Sequence, residues 1–207
     1  MAVDLKNLVD PARTAVVVFE MQVGIVGPGG PFPALTEAVQ ADGIVPRIAE
    51  LLRAARRAGA RVCFGTAAHR ADRQGSSRNT LLMAVSARTF SKRPLDEVTG
   101  RILPELGPEP SDLIMPRLHG VSGFHDTGLD SALRNMGIST VIAAGVSINV
   151  GIPALVIDAS NRNYQVVLPR DCVTGTPREF KDPMIDHSLG LLATVTTSAD
   201  IIAAWGG

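Results

Sequence analysis

The 207-residue chain predicts an α/β fold: one domain of three layers, helices on both faces of a six-stranded, mainly parallel sheet. Three observations carry this expectation. Short β-branched apolar runs alternate with longer segments of helical spacing, the pattern of a parallel sheet covered on both sides. The length suits one well-buried domain and is short for two, so residues 1–207 read as a single unit. Hydrophobic residues make up 45% of the chain and charged ones 19%, enough apolar surface for a large core.

The elements follow in order. Thr14–Phe19 is the first strand, and the Gly- and Pro-rich stretch Gly24–Pro33 reads as a loop over its end. Ile44–Ala58 carries apolar residues at helical spacing, with Arg47, Glu50, Arg53, Arg56 and Arg57 on the wet face, and Gly59 ends it. Ala60–Thr66 is the second strand, His69–Ser77 a polar loop, and Thr80–Arg88 a short helix. A further short helix is expected at Leu95–Leu103, before a Pro-rich connection. Asp112–Met115, Thr140–Ala144, Gln165–Leu168 and Ala193–Thr196 complete the strands. Helices at Thr127–Met136, Asn149–Asn161, Pro183–Leu192 and Ala199–Ala204 lie between and after them.

Composition narrows the function classes. Twenty basic residues balance twenty acidic ones and aromatics are only 4%, which argues against a nucleic-acid or anionic-membrane partner. The start of the chain lacks a signal pattern and no apolar run reaches membrane-spanning length. Cys63 and Cys172 form no metal or redox motif, so a cytoplasmic protein is expected. Gly27-Pro-Gly-Gly30 opens no dinucleotide-binding helix, and no cofactor is expected.

Open α/β sheets place chemistry at the carboxyl ends of strands and the amino ends of helices. Three stretches stand there. Strand one ends in Phe19-Glu20-Met21-Gln22, and an acid after an apolar run is rarely needed for folding. Glu20 is either a solvated or arginine-paired strand-end carboxylate or a general acid/base, and an apolar pocket would raise its pKa toward neutrality. The second stretch is Met115-Pro-Arg-Leu-His-Gly-Val-Ser-Gly-Phe-His-Asp-Thr-Gly-Leu129. Arg117 can carry permanent positive charge to a carboxylate or an oxyanion. His119 and His125 can each donate to a substrate or serve as structural hydrogen-bonders. Phe124 is a pocket wall or a subunit contact. The third stretch is Gly145-Val-Ser-Ile-Asn-Val-Gly-Ile-Pro153, a glycine turn entering a helix whose first amides can bind an anion.

Together these stretches resemble the isochorismatase-like, or cysteine hydrolase, superfamily, a Rossmann-like fold, and the resemblance covers nearly the whole chain. Ser122, Gly123, Phe124, Thr127 and Leu129 match the family's segment after strand three, while Gly145, Val146 and Asn149 match its nucleophile turn. Asp158-Ala-Ser-Asn-Arg-Asn-Tyr-Gln-Val-Val and Asp171-Cys-Val also follow the family's run. The family's aspartate, lysine and cysteine read here as Glu20, Arg117 (or, in another register, Leu118) and Gly151. All three are substituted, which removes cysteine-dependent amidase chemistry from the expectation. His69 stands without the acid and second histidine of the nicotinamidase metal pattern, so no metal is expected.

The resemblance also implies a route that needs no cysteine. Isochorismatases place glycine at that position and cleave a vinyl ether by protonation. The leading expectation is thus a non-covalent hydrolase of a small anionic or carbonyl-bearing substrate. Glu20, Arg117 and His119 would be catalytic, and Gln22, Phe124, His125, Asn149, Val150 and Gly151 would contact substrate. The alternatives are a catalytically silent relative that binds a ligand or partner, or a carbon–oxygen lyase or ring-opening enzyme. The family implies a homodimer or homotetramer, and the apolar stretch Val150–Ile157 suits either an interface or ordinary core.

Overall fold

A computed structural model describes residues 4–207. Within them, a parallel sheet runs through β1 (Thr14–Phe19), β2 (Arg61–Ala67), β3 (Leu113–Arg117), β4 (Thr140–Val146), β5 (Gln165–Pro169), β6 (Val173–Thr174) and β7 (Thr194–Thr196). The order across the sheet is β3-β2-β1-β4-β5-β7, and β6 pairs with β4. The two-residue β6 is the strand that sequence patterning does not mark. β5 accompanies β4 only over Thr140–Ile142, and β6 takes up the same edge at Gly145 and Val146.

The chain builds outward from β1 to β3, then returns to β4 on the other side of β1. That reversal opens a crevice beyond the carboxyl ends of β1 and β4, the place where open parallel sheets bind ligands.

Period-two alternation sorts the core. Val16 and Val18 of β1 face one layer, while Ala15, Val17 and Phe19 face the other. The first layer, which takes in the single-turn helices α1 (Leu5–Leu8) and α2 (Val23–Val26), is built on α4 (Ile44–Ala58), whose buried Ile44, Ile48, Leu51, Leu52 and Ala55 recur at helical spacing. Gly59 ends that helix at φ 89°, with the Ala60 amide donating back to the Ala55 carbonyl at 2.9 Å. Arg56 does not stay on the wet face. It forks onto the buried Asp112 at 3.1 and 2.6 Å and ties α4 to the start of β3.

The second layer packs α6 (Leu129–Asn135), α7 (Gly151–Asn161) and α8 (Lys181–His187) over β1, β4 and β5. Ile152, Leu155 and Val156 of α7 are fully buried there, whereas Val150, Pro153 and Ala154 are half-buried and Ile157 is exposed. A capping box at Thr197 and Asp200 starts α9 (Ser198–Ala204).

Several segments differ from the expectation: the loop expected at Gly24–Pro33 opens with a single helical turn at Val23–Val26, and the helix expected at Pro183–Leu192 stops at His187, before a 3-10 turn at Leu189–Leu191. A helix, α3 (Pro33–Asp42), begins where the loop was expected to end; it buries only Thr36, Ala38 and Val39, too weak a stripe to stand out in sequence. Conversely, Leu95–Leu103 is not helical. The Asp96 carboxylate takes the amides of Val98 and Thr99 at 2.8 and 2.7 Å, a local turn that competes with helix. The Thr99 and Arg101 carbonyls accept from Gly24 and Val23, and Ile102 bridges Gln22. α5 (Leu81–Lys92) runs four residues past its expected end, and Leu81 and Val85 are exposed on it. No helix among the described residues is long and apolar enough to cross a membrane.

Candidate active site

A cavity of about 420 Å³ opens at the strand ends. Its floor is polar and comes from residues after β1, β3 and β4; its walls are apolar and come from the start of α3 and from α5.

Glu20 directly follows β1. Its amide donates to the Gly65 carbonyl at 2.8 Å, and its φ of 53° places it in the left-handed region that non-glycine residues adopt at a cost of about 1 kcal/mol. Such outliers persist where the surroundings hold them, and they cluster at functional sites. Glu20 is the only carboxylate among the lining residues. It is not left in an apolar environment as the sequence suggested, because the Arg117 guanidinium donates to it from the end of β3. Arg117 is thus the residue that reaches Glu20, and Leu118 stays half-exposed at the rim. Pro116 is tolerated beside it because β3 is an edge strand. Arg117 also donates to the Gly120 carbonyl and, at 3.4 Å, to that of His119, and its charge lies 5.7 Å from the Phe19 ring centroid.

His119, Asn149, Val150 and Gly151 line the cavity with them. The other three expected contact residues do not. Gln22 is buried with its amide spent on main chain: it accepts from the Ala67 amide at 2.7 Å and donates to the carbonyls of Ala67 at 3.0 Å and Gly100 at 2.9 Å. Phe124 sits in the second-layer core against Tyr164, centroids 5.7 Å apart, because the glycine before it lets the chain dip under α7. His125 is solvent-facing, 3.4 Å from Asp126. His69 lines the cavity, accepting from the Leu95 amide at 3.2 Å, with its other nitrogen 3.1 Å from the Arg70 carbonyl. Among the described residues no three His, Cys, Asp or Glu side chains gather as a metal site would need.

The Val146–Ser147 peptide at the end of β4 is cis, and α7 starts at Gly151. A side chain at Gly151 has no room. A Cβ there would stand 2.9 and 3.0 Å from the Phe19 ring and 3.1 Å from the Val146 carbonyl oxygen. The ring is packed as closely against two further glycines: Cβ atoms at Gly65 and Gly123 would meet it at 2.6 and 3.1 Å. Three glycines therefore form a cradle for Phe19. Gly151→Cys is expected to lose about 1–3 kcal/mol of stability, the usual cost of overpacking. Gly151→Cys in a Phe19→Leu background should recover part of it; equal loss in both, by chemical denaturation, would show that the ring is not the obstacle.

Neither native cysteine substitutes for one at that position. Cys63 in β2 and Cys172 before β6 are fully buried and outside the cavity. Burial, then the Asp112 carboxylate, pushes the Cys63 thiol up to about 12, and burial with Asp171 raises that of Cys172. A raised thiol pKa leaves no thiolate at pH 8, so iodoacetamide should neither label the native protein nor reduce its turnover. Rapid labelling with loss of activity would contradict this.

Sequence reasoning missed Phe19, whose role depends on three glycines distant in sequence, and Arg73, which lines the cavity from the loop after β2. Nothing in the loop sequence distinguishes Arg73 from Arg70 or Arg78.

A parallel sheet with an acid after its central strand, a cation on the edge strand beyond, and a glycine-led helix across the switch point defines a three-layer α/β enzyme. The chain belongs to the isochorismatase family: the model of the isochorismatase domain matches residues 14–200. It is an isochorismatase-family hydrolase. It is 30% identical to the ureidoacrylate amidohydrolase RutB of Pantoea ananatis, covering 93% of this chain and 83% of that protein. It is 28% identical to the RutB of Agrobacterium fabrum, covering 93% and 91%. A solved cysteine hydrolase from Pseudomonas syringae pv. phaseolicola superposes with a TM-score of 0.81 at 25% identity, over 96% of this chain and 94% of that one.

Proposed function

We propose that this chain hydrolyses a small anionic or carbonyl-bearing substrate without a covalent enzyme intermediate, with Glu20 as the acid/base. The observation that carries the reading is the pairing of a single cavity carboxylate with a position 151 that has neither a nucleophile nor room for one.

Vinyl-ether hydrolysis fits these groups. A substrate carboxylate or carbonyl docks on Arg117 and displaces Glu20 from the guanidinium, which leaves Glu20 able to hold a proton. Glu20 protonates the terminal enol carbon and an oxocarbenium forms. Water adds its oxygen to that carbocation carbon and returns a proton to Glu20. The resulting hemiketal collapses to a ketone and an alcohol, so one water is consumed and the carboxyl group is restored. The Ser147 carbonyl already accepts from the amides of Val150 and Ile152, and Pro153 has no N–H. The amides of Asn149 and Gly151 have no main-chain acceptor in this turn, and they are the ones it can offer to developing negative charge.

The curated relatives are named for amide hydrolysis, so ureidoacrylate is the second substrate to try beside isochorismate. Pyruvate release from isochorismate by wild type, absent in Glu20→Gln, supports the vinyl-ether route. Amide hydrolysis of ureidoacrylate that also needs Glu20 keeps the non-covalent mechanism and moves the substrate class. Release of product from neither substrate favours a silent, ligand-binding relative. One observation favours that second reading: Glu20 and Arg117 are already paired with each other within the site. A carboxylate that raises the melting temperature without being consumed would support it.

A further inference from the structure

Buried polar side-chain atoms are nearly always hydrogen-bonded, and each exception calls for a missing partner. Among the described residues three such atoms lack one: Arg73 Nε, Arg117 Nε and Asn149 Oδ1. All three belong to residues that line the cavity. The orphans cluster where a ligand would sit, two donors and one acceptor.

Arg73 differs from the other two. Arg117 is engaged through its terminal nitrogens by Glu20 and Gly120. Arg73 makes no ion pair among the described residues. The nearest acid in sequence, Asp72, is bound by Arg70 at 3.0 and 2.7 Å and also accepts the Gln74 amide at 3.0 Å. Glu20 is taken by Arg117. Arg73 therefore brings an uncompensated positive charge to a cavity with Phe32, Met83 and Phe90 in its walls. Burial, then the neighbouring charge of Arg78, lowers its basicity, yet a guanidinium stays charged at neutral pH. Partly buried, unpaired and fork-shaped, it matches a carboxylate.

We infer that Arg73 is a second carboxylate-recognition residue of this cavity, in addition to Arg117, and that its ligand is a small carboxylate with an apolar body and an N–H or O–H donor for Asn149. The inference rests on reading the cavity as the substrate site, and it adds the group that seats the substrate away from Glu20. The carboxylate lies against the loop after β2, the apolar body against α3 and α5, and the reacting end at the strand ends.

Equilibrium binding tests it independently of turnover. Isothermal titration would use benzoate, phenylacetate and trans-cinnamate, each beside its primary amide. Wild type should prefer the carboxylate about tenfold or more, the scale of a charge-assisted bidentate contact. Arg73→Met should bring that ratio to about threefold or less with an unchanged circular dichroism spectrum, Arg73→Gln should do the same, and Arg73→Lys should recover part of it. Wild type without a carboxylate preference, or variants that retain it, would overturn the inference. A preference that depends on Arg73 in a protein that hydrolyses nothing would leave this inference standing and remove the hydrolase mechanism. Glu20-dependent hydrolysis with no role for Arg73 in binding would do the reverse.

Discussion

Glu20→Gln is expected to lower turnover by about 10²–10⁴-fold, the usual contribution of a positioned general acid/base, while the fold stays intact. The substitution is nearly isosteric, so the left-handed backbone at φ 53° meets the same steric demands with either side chain. The glutamine carbonyl can still accept from Arg117, so the loop that Arg117 organises through the Gly120 and His119 carbonyls keeps its anchor. What disappears is the capacity to take up and return a proton. No other lining carboxylate can replace it. The assay is single-substrate turnover beside a thermal melt. Unchanged turnover in a folded variant would remove Glu20 from the chemistry, whereas a collapsed melt would show that its ion pair serves the fold.

Gln22→Ala should show the opposite pattern: a loss of about 3 kcal/mol of stability and no change in ligand affinity of the folded protein. Gln22 is buried and supplies three hydrogen bonds to main chain, at the end of β2 and in the turn around Gly100. Removing it leaves the Ala67 amide and the carbonyls of the half-buried Ala67 and Gly100 without this partner, and each lost bond costs on the order of 1 kcal/mol. For a domain of this size that is a drop of about 6–12 °C in melting temperature. Gln22→Glu should be no better, because a carboxylate cannot donate to the Ala67 and Gly100 carbonyls. A wild-type melt together with weakened binding would return Gln22 to the ligand site, where its sequence position suggests it belongs.

The contrast between these two neighbours measures what was legible in advance. Both follow the same apolar strand, and their residue types mark the strand end as unusual. Direction is another matter. Glu20 turns into the crevice because the chain takes a left-handed step there, while Gln22 turns inward because β2 ends with an unpaired edge that needs it. The same limit applies after β3. Phe124 and His125 are adjacent, and one ends in the core while the other ends in water.

The chain's own periodicities determined the layer architecture, the strand bounds to within a residue or two, and the strand ends that carry polar groups, because these depend on local patterns of burial. The substituted acid, cation and glycine were legible for the same reason, as residue types at known places along the elements. Only the tertiary structure decided which of them meet. Arg117 reaches Glu20 across β2, Phe19 fills the space beside Gly151 because Gly65 and Gly123 also make way for it, and Arg73 becomes a lone, partly buried charge because its nearest acids are taken by other arginines. Each of these depends on contacts between segments far apart in the chain, which no local pattern encodes.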